Sequence, residues 1–109
     1  MGQLLFKKCF WQPINDGSKR TTIRRWLRPH VKPGGRAFAP GIGWLMIDSI
    51  EIVSLTKLTD DDARADGFAS ARAMRRALRE IYPRVARDNR KWFRVAFRRE
   101  SAALALSSS

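Results

Sequence analysis

Three stretches of this chain change character with a period of two, and a helical region separates the second from the third. "TTIRRW" (21–26), a long run from Trp44 to Leu55, and "KWFRVAFRR" (91–99) are rich in β-branched and aromatic residues, which reads as strand. Between Thr59 and Ile81 the spacing is helical instead. A short strand at "RAFA" and a turn at "PGIG" precede the long run. Helix, strands, two helices and a last strand fit an α+β chain: a small mixed β-barrel flanked by short helices. With 109 residues, one domain over 1–100 and a frayed tail over 101–109 account for the length.

Alternation assigns faces. Thr22, Arg24 and Trp26 share one side of the first strand, and Thr21, Ile23 and Arg25 the other. In the long strand Trp44, Met46, Asp48, Ile50, Ile52 and Ser54 fall together, opposite Leu45, Ile47, Ser49, Glu51, Val53 and Leu55. Both sides are partly apolar, as in a small closed barrel. Asp48 and Glu51 thereby point to opposite faces. Phe93, Val95 and Phe97 form the apolar side of the last strand. Its other side carries Trp92, Arg94 and Arg98.

The opening apolar run "LLF" suits a strand. Phe10 and Ile14, one helical turn apart, then suit a single short helix with Pro13 in its first turn and Gly17 as its stop. Thr59 caps the next helix, Asp60 to Asp62 oppose its positive end, and Gly67 ends it. That capping role accounts for "DDDARAD" better than a metal site does. Ser70 caps the following helix, which Pro83 ends. Ala71, Met74, Leu78 and Ile81 form its apolar stripe and Arg72, Arg75, Arg76 and Arg79 its basic one. The basic stripe is either a contact for RNA phosphates or a solvated face. The glycines of "APGIG" read as a hairpin turn.

The net charge of +12, from 22 Lys and Arg against 10 Asp and Glu, favours a polyanionic partner, nucleic acid ahead of membrane. Arginine dominates, and its planar fork matches phosphate with two hydrogen bonds. The only cysteine, Cys9, permits no internal disulfide and reads as a small buried apolar residue. With His30 the only histidine, no Cys/His zinc site can be built. No metal or cofactor is expected. No run reaches membrane-span length. "MGQLLFKK" is too short an apolar start for a signal peptide and has Phe6 where myristoylation needs Ser or Thr. The expected compartment is the cytoplasm.

The chemistry concentrates at "GSKRTTIR". Gly17 permits a tight helix exit, Lys19 lies in the turn, and Thr22 and Arg24 face the same way two residues apart. An ammonium, a hydroxyl and a guanidinium converging on one space suit an anionic or carbonyl-bearing ligand. The same spacing also occurs in a solvated basic turn beside an ordinary strand. Trp26, Trp44 or Phe10 would stack on a nucleobase.

Gly17-x-Lys19-x-x-Thr22-x-Arg24 resembles the signature of the ASCH domain, of the PUA-like superfamily. "KPGG" resembles the family's turn before its next strand, "LTDDDARADGFAS" its helical segment, "LREIYP" the end of its following helix and "KWFRVAF" its last strand. The resemblance spans residues 5–99 and implies a PUA-like β-barrel with a cleft beside the signature. Such domains are linked with RNA binding. Some small members hydrolyse the amide of acetylcytidine with a lysine, a threonine and a glutamate, and another kind is a ribonuclease. Lys19 and Thr22 match the first two hydrolase positions. The third falls at Asp66, one methylene shorter than the family's glutamate. On the chemistry of amide hydrolysis itself, which needs a nucleophile, a base and charge stabilisation, Thr22 would supply the hydroxyl, Lys19 the base, Asp66 the group that orients Lys19 or passes a proton, and Arg24 the holder of an oxyanion or ring carbonyl. The implied partner is RNA or a nucleoside, bound either catalytically or by a binding-only module.

Overall fold

The β4–β5 ladder forms the spine of the molecule. A computed structural model of the chain describes residues 2–82 and 89–100. The strands are β1 (Gly2–Gln3), β2 (Thr21–Trp26), β3 (Arg36–Ala39), β4 (Gly43–Ile52) and β5 (Lys91–Arg99), and the helices α1 (Trp11–Asp16), α2 (Asp60–Ala65) and α3 (Ala71–Ile81). The five strands lie in the order β1-β3-β4-β5-β2, with β1 parallel to β3 and the other neighbours antiparallel. This is an α+β fold, a mixed half-barrel carrying short helices. Among the described residues β1 and β2 lie at the two ends of this order. The expected helix end at Pro83 and the tail 101–109 lie outside the described residues.

The expected strand at "LLF" is replaced by the two-residue β1. The Leu4 amide still bonds the Phe38 carbonyl at 3.0 Å, but the Leu5 carbonyl is taken by the Arg24 guanidinium at 2.7 Å. The chain then enters a 3-10 turn, Lys8–Phe10. That turn leaves Cys9 exposed rather than buried. Helix α1 forms as its residues suggest: Pro13 sits in the first turn, and Gly17 ends it in the left-handed region at φ 85°.

One core lies inside the curl of the sheet, where Leu45, Ile47, Phe93, Val95 and Phe97 meet Leu4, Ile14 and Trp26. A second lies between the sheet and the helices, where Ile23 meets Leu58, Ala63, Ala71, Met74 and Leu78. Ile81, placed in the apolar stripe by periodicity, is 44% exposed at the end of α3.

The faces assigned to β4 are corrected by a bulge. Ile47 pairs with Phe97 and Ser49 with Ala96, which leaves Asp48 as an extra residue. The bulge reverses the alternation, so Ile50 returns to the side of Leu45 and Ile47 and packs on the inner core. Asp48 and Glu51 therefore serve the same side: Asp48 bonds Arg98 at 3.1 Å and Glu51 bonds Arg94. β4 ends at Ile52, and Leu55–Lys57 forms a 3-10 turn.

Helix α2 has the expected Thr59 cap in full. Thr59 Oγ1 accepts from the Asp62 amide, and the Asp62 carboxylate accepts from the Thr59 amide. Each neighbouring acid has a structural bond: Asp60 accepts from the Ala71 amide at 2.8 Å, Asp61 pairs with Arg64, and Asp62 accepts from Arg94 at 2.9 Å. The bonds of Asp60 and Asp62 fix α2 to α3 and to β5.

Candidate functional site

The candidate site sits where α1, β2 and α2 meet. Two backbone bonds set it up. The Lys19 amide donates to the Pro13 carbonyl at 3.0 Å, and the Arg20 amide donates to the Ala65 carbonyl at 2.7 Å. The first ties the signature turn to α1. The second brings the C-terminal end of α2, and with it Asp66, against the start of β2.

Lys19 and Asp66 meet here inside the protein. The Lys19 ammonium lies 3.6 Å from Asp66 Oδ2, with each side chain 3% exposed. It also donates to the Thr21 carbonyl at 3.0 Å and to the Asp66 backbone carbonyl. The shorter carboxylate thus reaches Lys19. Gly67 makes the approach possible: its φ is +91°, and a Cβ there would lie 3.3 Å from the Lys19 Cδ. The signature turn folds Lys19 inward.

Phenylalanines surround the ammonium. Their ring centres lie 4.6 Å (Phe10), 5.9 Å (Phe68) and 6.0 Å (Phe6) from Nζ. Burial pushes the Lys19 pKa below its usual range, and the nearby Arg24 charge adds to this against the pull of Asp66. Burial pushes Asp66 upward, opposed by Lys19, the Thr21 hydroxyl and Arg24. Both groups move toward their neutral forms, so the difference in proton affinity between them narrows.

Thr22 and Arg24 face the same space, as alternation required. Arg24 Nε donates to Thr22 Oγ1 at 2.9 Å. A hydroxyl accepting in this way retains its own hydrogen for a ligand or a base. Arg24 is fixed further by the Leu5 carbonyl and by the Phe6 ring, 4.9 Å from its guanidinium carbon. Lys19, Thr22, Arg24 and Asp66 all line one cavity of about 150 Å3, whose apolar walls include Phe6, Phe10, Phe68 and Tyr82.

The remaining sequence candidates lie elsewhere. Trp26 does share the Thr22–Arg24 face, but that face runs from the cavity into the core. There its ring stacks on His30 at 4.6 Å and packs against Phe93. Trp44 is on β4, against Arg36 and Phe38. Neither tryptophan lines the cavity, whereas Phe10 does. Gly17 opens onto a separate groove lined by Arg20, Thr21, Arg98 and Arg99. On α3, Arg72 and Arg76 are exposed. Arg75 turns back to donate to the Leu55 and Leu58 carbonyls at 3.0 and 3.3 Å. Sequence reasoning missed Phe6, Phe68 and Thr21. Phe68 directly follows the Gly67 turn, which was its one local signal.

Solved structures show the same architecture. The hypothetical protein PH0355 superimposes with a TM-score of 0.75 at 15% identity, over 90% of this chain and 97% of that one. The ASCH domain from Lactobacillus crispatus JV V101 superimposes with a TM-score of 0.70 at 15% identity, over 84% of this chain and 70% of that one. The fold is that of an ASCH domain. Protein EF3133 from Enterococcus faecalis V583, of family model DUF984, shares this ASCH-like fold with a TM-score of 0.65 at 14% identity, over 91% of this chain and 80% of that one. No protein-family model matches the chain, and no curated protein matches it in sequence. Among the described residues no helix is long and apolar enough to cross a membrane.

Proposed function

We propose that the cavity takes a nucleoside or a single RNA base and hydrolyses the amide of acetylcytidine. The observation that carries this reading is the buried Lys19–Asp66 pair, set in one aromatic-walled cavity with the Thr22 hydroxyl and the Arg24 guanidinium. Amide hydrolysis needs a nucleophile, a base and stabilisation of an oxyanion. In this reading neutral Lys19 takes the proton of Thr22 as Oγ1 attacks the acetyl carbonyl. Arg24 stabilises the oxyanion. The C–N bond breaks, Lys19 returns the proton to the departing exocyclic nitrogen of cytidine, and water then cleaves the acetyl–threonine ester. Asp66 orients Lys19 for both transfers. Phe6 and Phe10 offer flat faces to the base.

The test is release of cytidine from acetylcytidine by the purified protein, beside Lys19→Ala and Thr22→Ala. The expected result is turnover by the wild type and none by either variant. Thr22→Ala is the cleaner variant, because it leaves the buried ion pair intact. Normal turnover by both would sink the enzyme reading.

A binding-only module for RNA is the second reading, favoured by the exposed Arg72 and Arg76 and the net charge of +12. Absence of cytidine release together with salt-sensitive RNA binding would select it. RNA fragments that disappear in Lys19→Ala would instead select a ribonuclease in the same cavity. The cytoplasmic setting expected from the sequence would give either form access to RNA.

A further inference from the structure

Adjacent threonines open β2, and they serve different partners. Thr22 faces the cavity and accepts from Arg24. Thr21, on the opposite face, donates its hydroxyl hydrogen to Asp66 Oδ1 at 2.7 Å, and its backbone carbonyl accepts from the Lys19 ammonium at 3.0 Å. One residue therefore touches both members of the buried pair. With Oδ1 bonded to Thr21, Oδ2 is the oxygen turned toward Lys19 at 3.6 Å. Thr21 does not line the cavity that holds Thr22 and Arg24. It borders the groove behind it, with Arg20 and Arg98.

We infer that Thr21 is a positioning residue, which fixes the rotation of the Asp66 carboxylate and so presents Oδ2 to Lys19. This deepens the hydrolase reading and rests on it for its catalytic consequence, but the positioning itself is independent of any substrate. A hydroxyl donating to a carboxylate favours its charged form. Without that donor, Asp66 holds its proton to higher pH and is free to rotate away from Lys19. Valine keeps the shape and the β-branch of threonine while removing the donor, and serine restores the donor without the methyl.

The experiment follows the Asp66 side-chain carboxyl through a pH titration by carbon NMR in wild type, Thr21→Val and Thr21→Ser, with kcat and KM for acetylcytidine measured across the same pH range. The expected result is a titration moved to higher pH in Thr21→Val and returned toward wild type in Thr21→Ser. Turnover in Thr21→Val should fall about tenfold in kcat with KM little changed, the size expected when one hydrogen bond to a charged group is removed. An unchanged Asp66 titration in Thr21→Val, or an equal shift in both variants, overturns the inference. Should the valine variant fail to fold, Thr21→Ala makes the same comparison against serine. If the wild type releases no cytidine, the hydrolase reading fails while the NMR titration still decides the role of Thr21.

Discussion

Lys19 and Asp66, 47 positions apart in sequence, form a buried ion pair in which the lysine ammonium donates to the aspartate's backbone carbonyl and faces its carboxylate at 3.6 Å. Taking two charges out of water is expensive, and their mutual attraction repays it only while both are present. Lys19→Met should therefore destabilise the fold by about 3–5 kcal/mol, because it strands a buried carboxylate. Lys19→Met combined with Asp66→Leu should recover most of that loss. Urea unfolding of the two singles and the double checks this, and additive losses would show that the two side chains do not act as a pair.

The same burial fixes the pH dependence. The folded Lys19 pKa lies below its ordinary 10.5. Between the two values the unfolded chain holds more protons, so stability rises with pH through that window. Asp66 is raised above its ordinary 3.8. The folded chain holds more protons there, and stability falls as pH rises from about that value to the folded one. Urea midpoints of wild type minus those of Lys19→Met/Asp66→Leu should show both slopes. If turnover is found, it should rise with pH at a midpoint below the ordinary lysine value.

The arginines of α3 should separate by function. Arg72 and Arg76 are exposed, whereas Arg75 holds the Leu55 and Leu58 carbonyls. Arg72→Gln/Arg76→Gln should weaken binding to single-stranded RNA and reduce the slope of log K against log salt by about 0.7 for each phosphate no longer neutralised. Arg75→Gln should leave that slope nearly unchanged and lower stability by about 1–3 kcal/mol, since it unbonds two carbonyls. Fluorescence anisotropy at several salt concentrations, beside thermal melts, distinguishes the two effects.

What the sequence made legible was local. Pro13 in its first turn and Gly17 at its stop mark α1, Thr59 and Asp62 start α2, and the alternation of Phe93, Val95 and Phe97 finds the inner face of β5. The signature also held Lys19, Thr22 and Arg24 in one cavity with Asp66. What stayed hidden depends on the third dimension. A single strand face can begin in a cavity and end in a core, which is why Trp26 follows Thr22 and Arg24 in the alternation and still packs on Phe93. Thr21 finds its partner 45 residues away, and no local pattern marks it. The bulge at Asp48 has no glycine or proline to announce it, so an alternation read straight through β4 put Ile50 on the wrong side.

That bulge leads to the last prediction, which runs against the usual rule that a deletion inside a long strand is ruinous. On either side of Asp48 the ladder is already in step: Ile47 faces Phe97, Ser49 faces Ala96 and Ile50 faces Val95. Removing Asp48 joins these pairs into one continuous ladder with Ile47 and Ile50 still directed at the core. The losses are local twist and an exposed Asp48–Arg98 pair, and such pairs contribute about 0–1 kcal/mol. Deleting Asp48 should therefore cost about 1–2 kcal/mol by urea unfolding, less than the roughly 2–5 kcal/mol expected for Leu45→Ala in the core. Deleting Ser49 as well would shift Ile50 to the outer face and should abolish folding. A chain that loses its fold on removal of Asp48 alone would mean that the bulge itself, through the bend it gives β4, holds the half-barrel in shape.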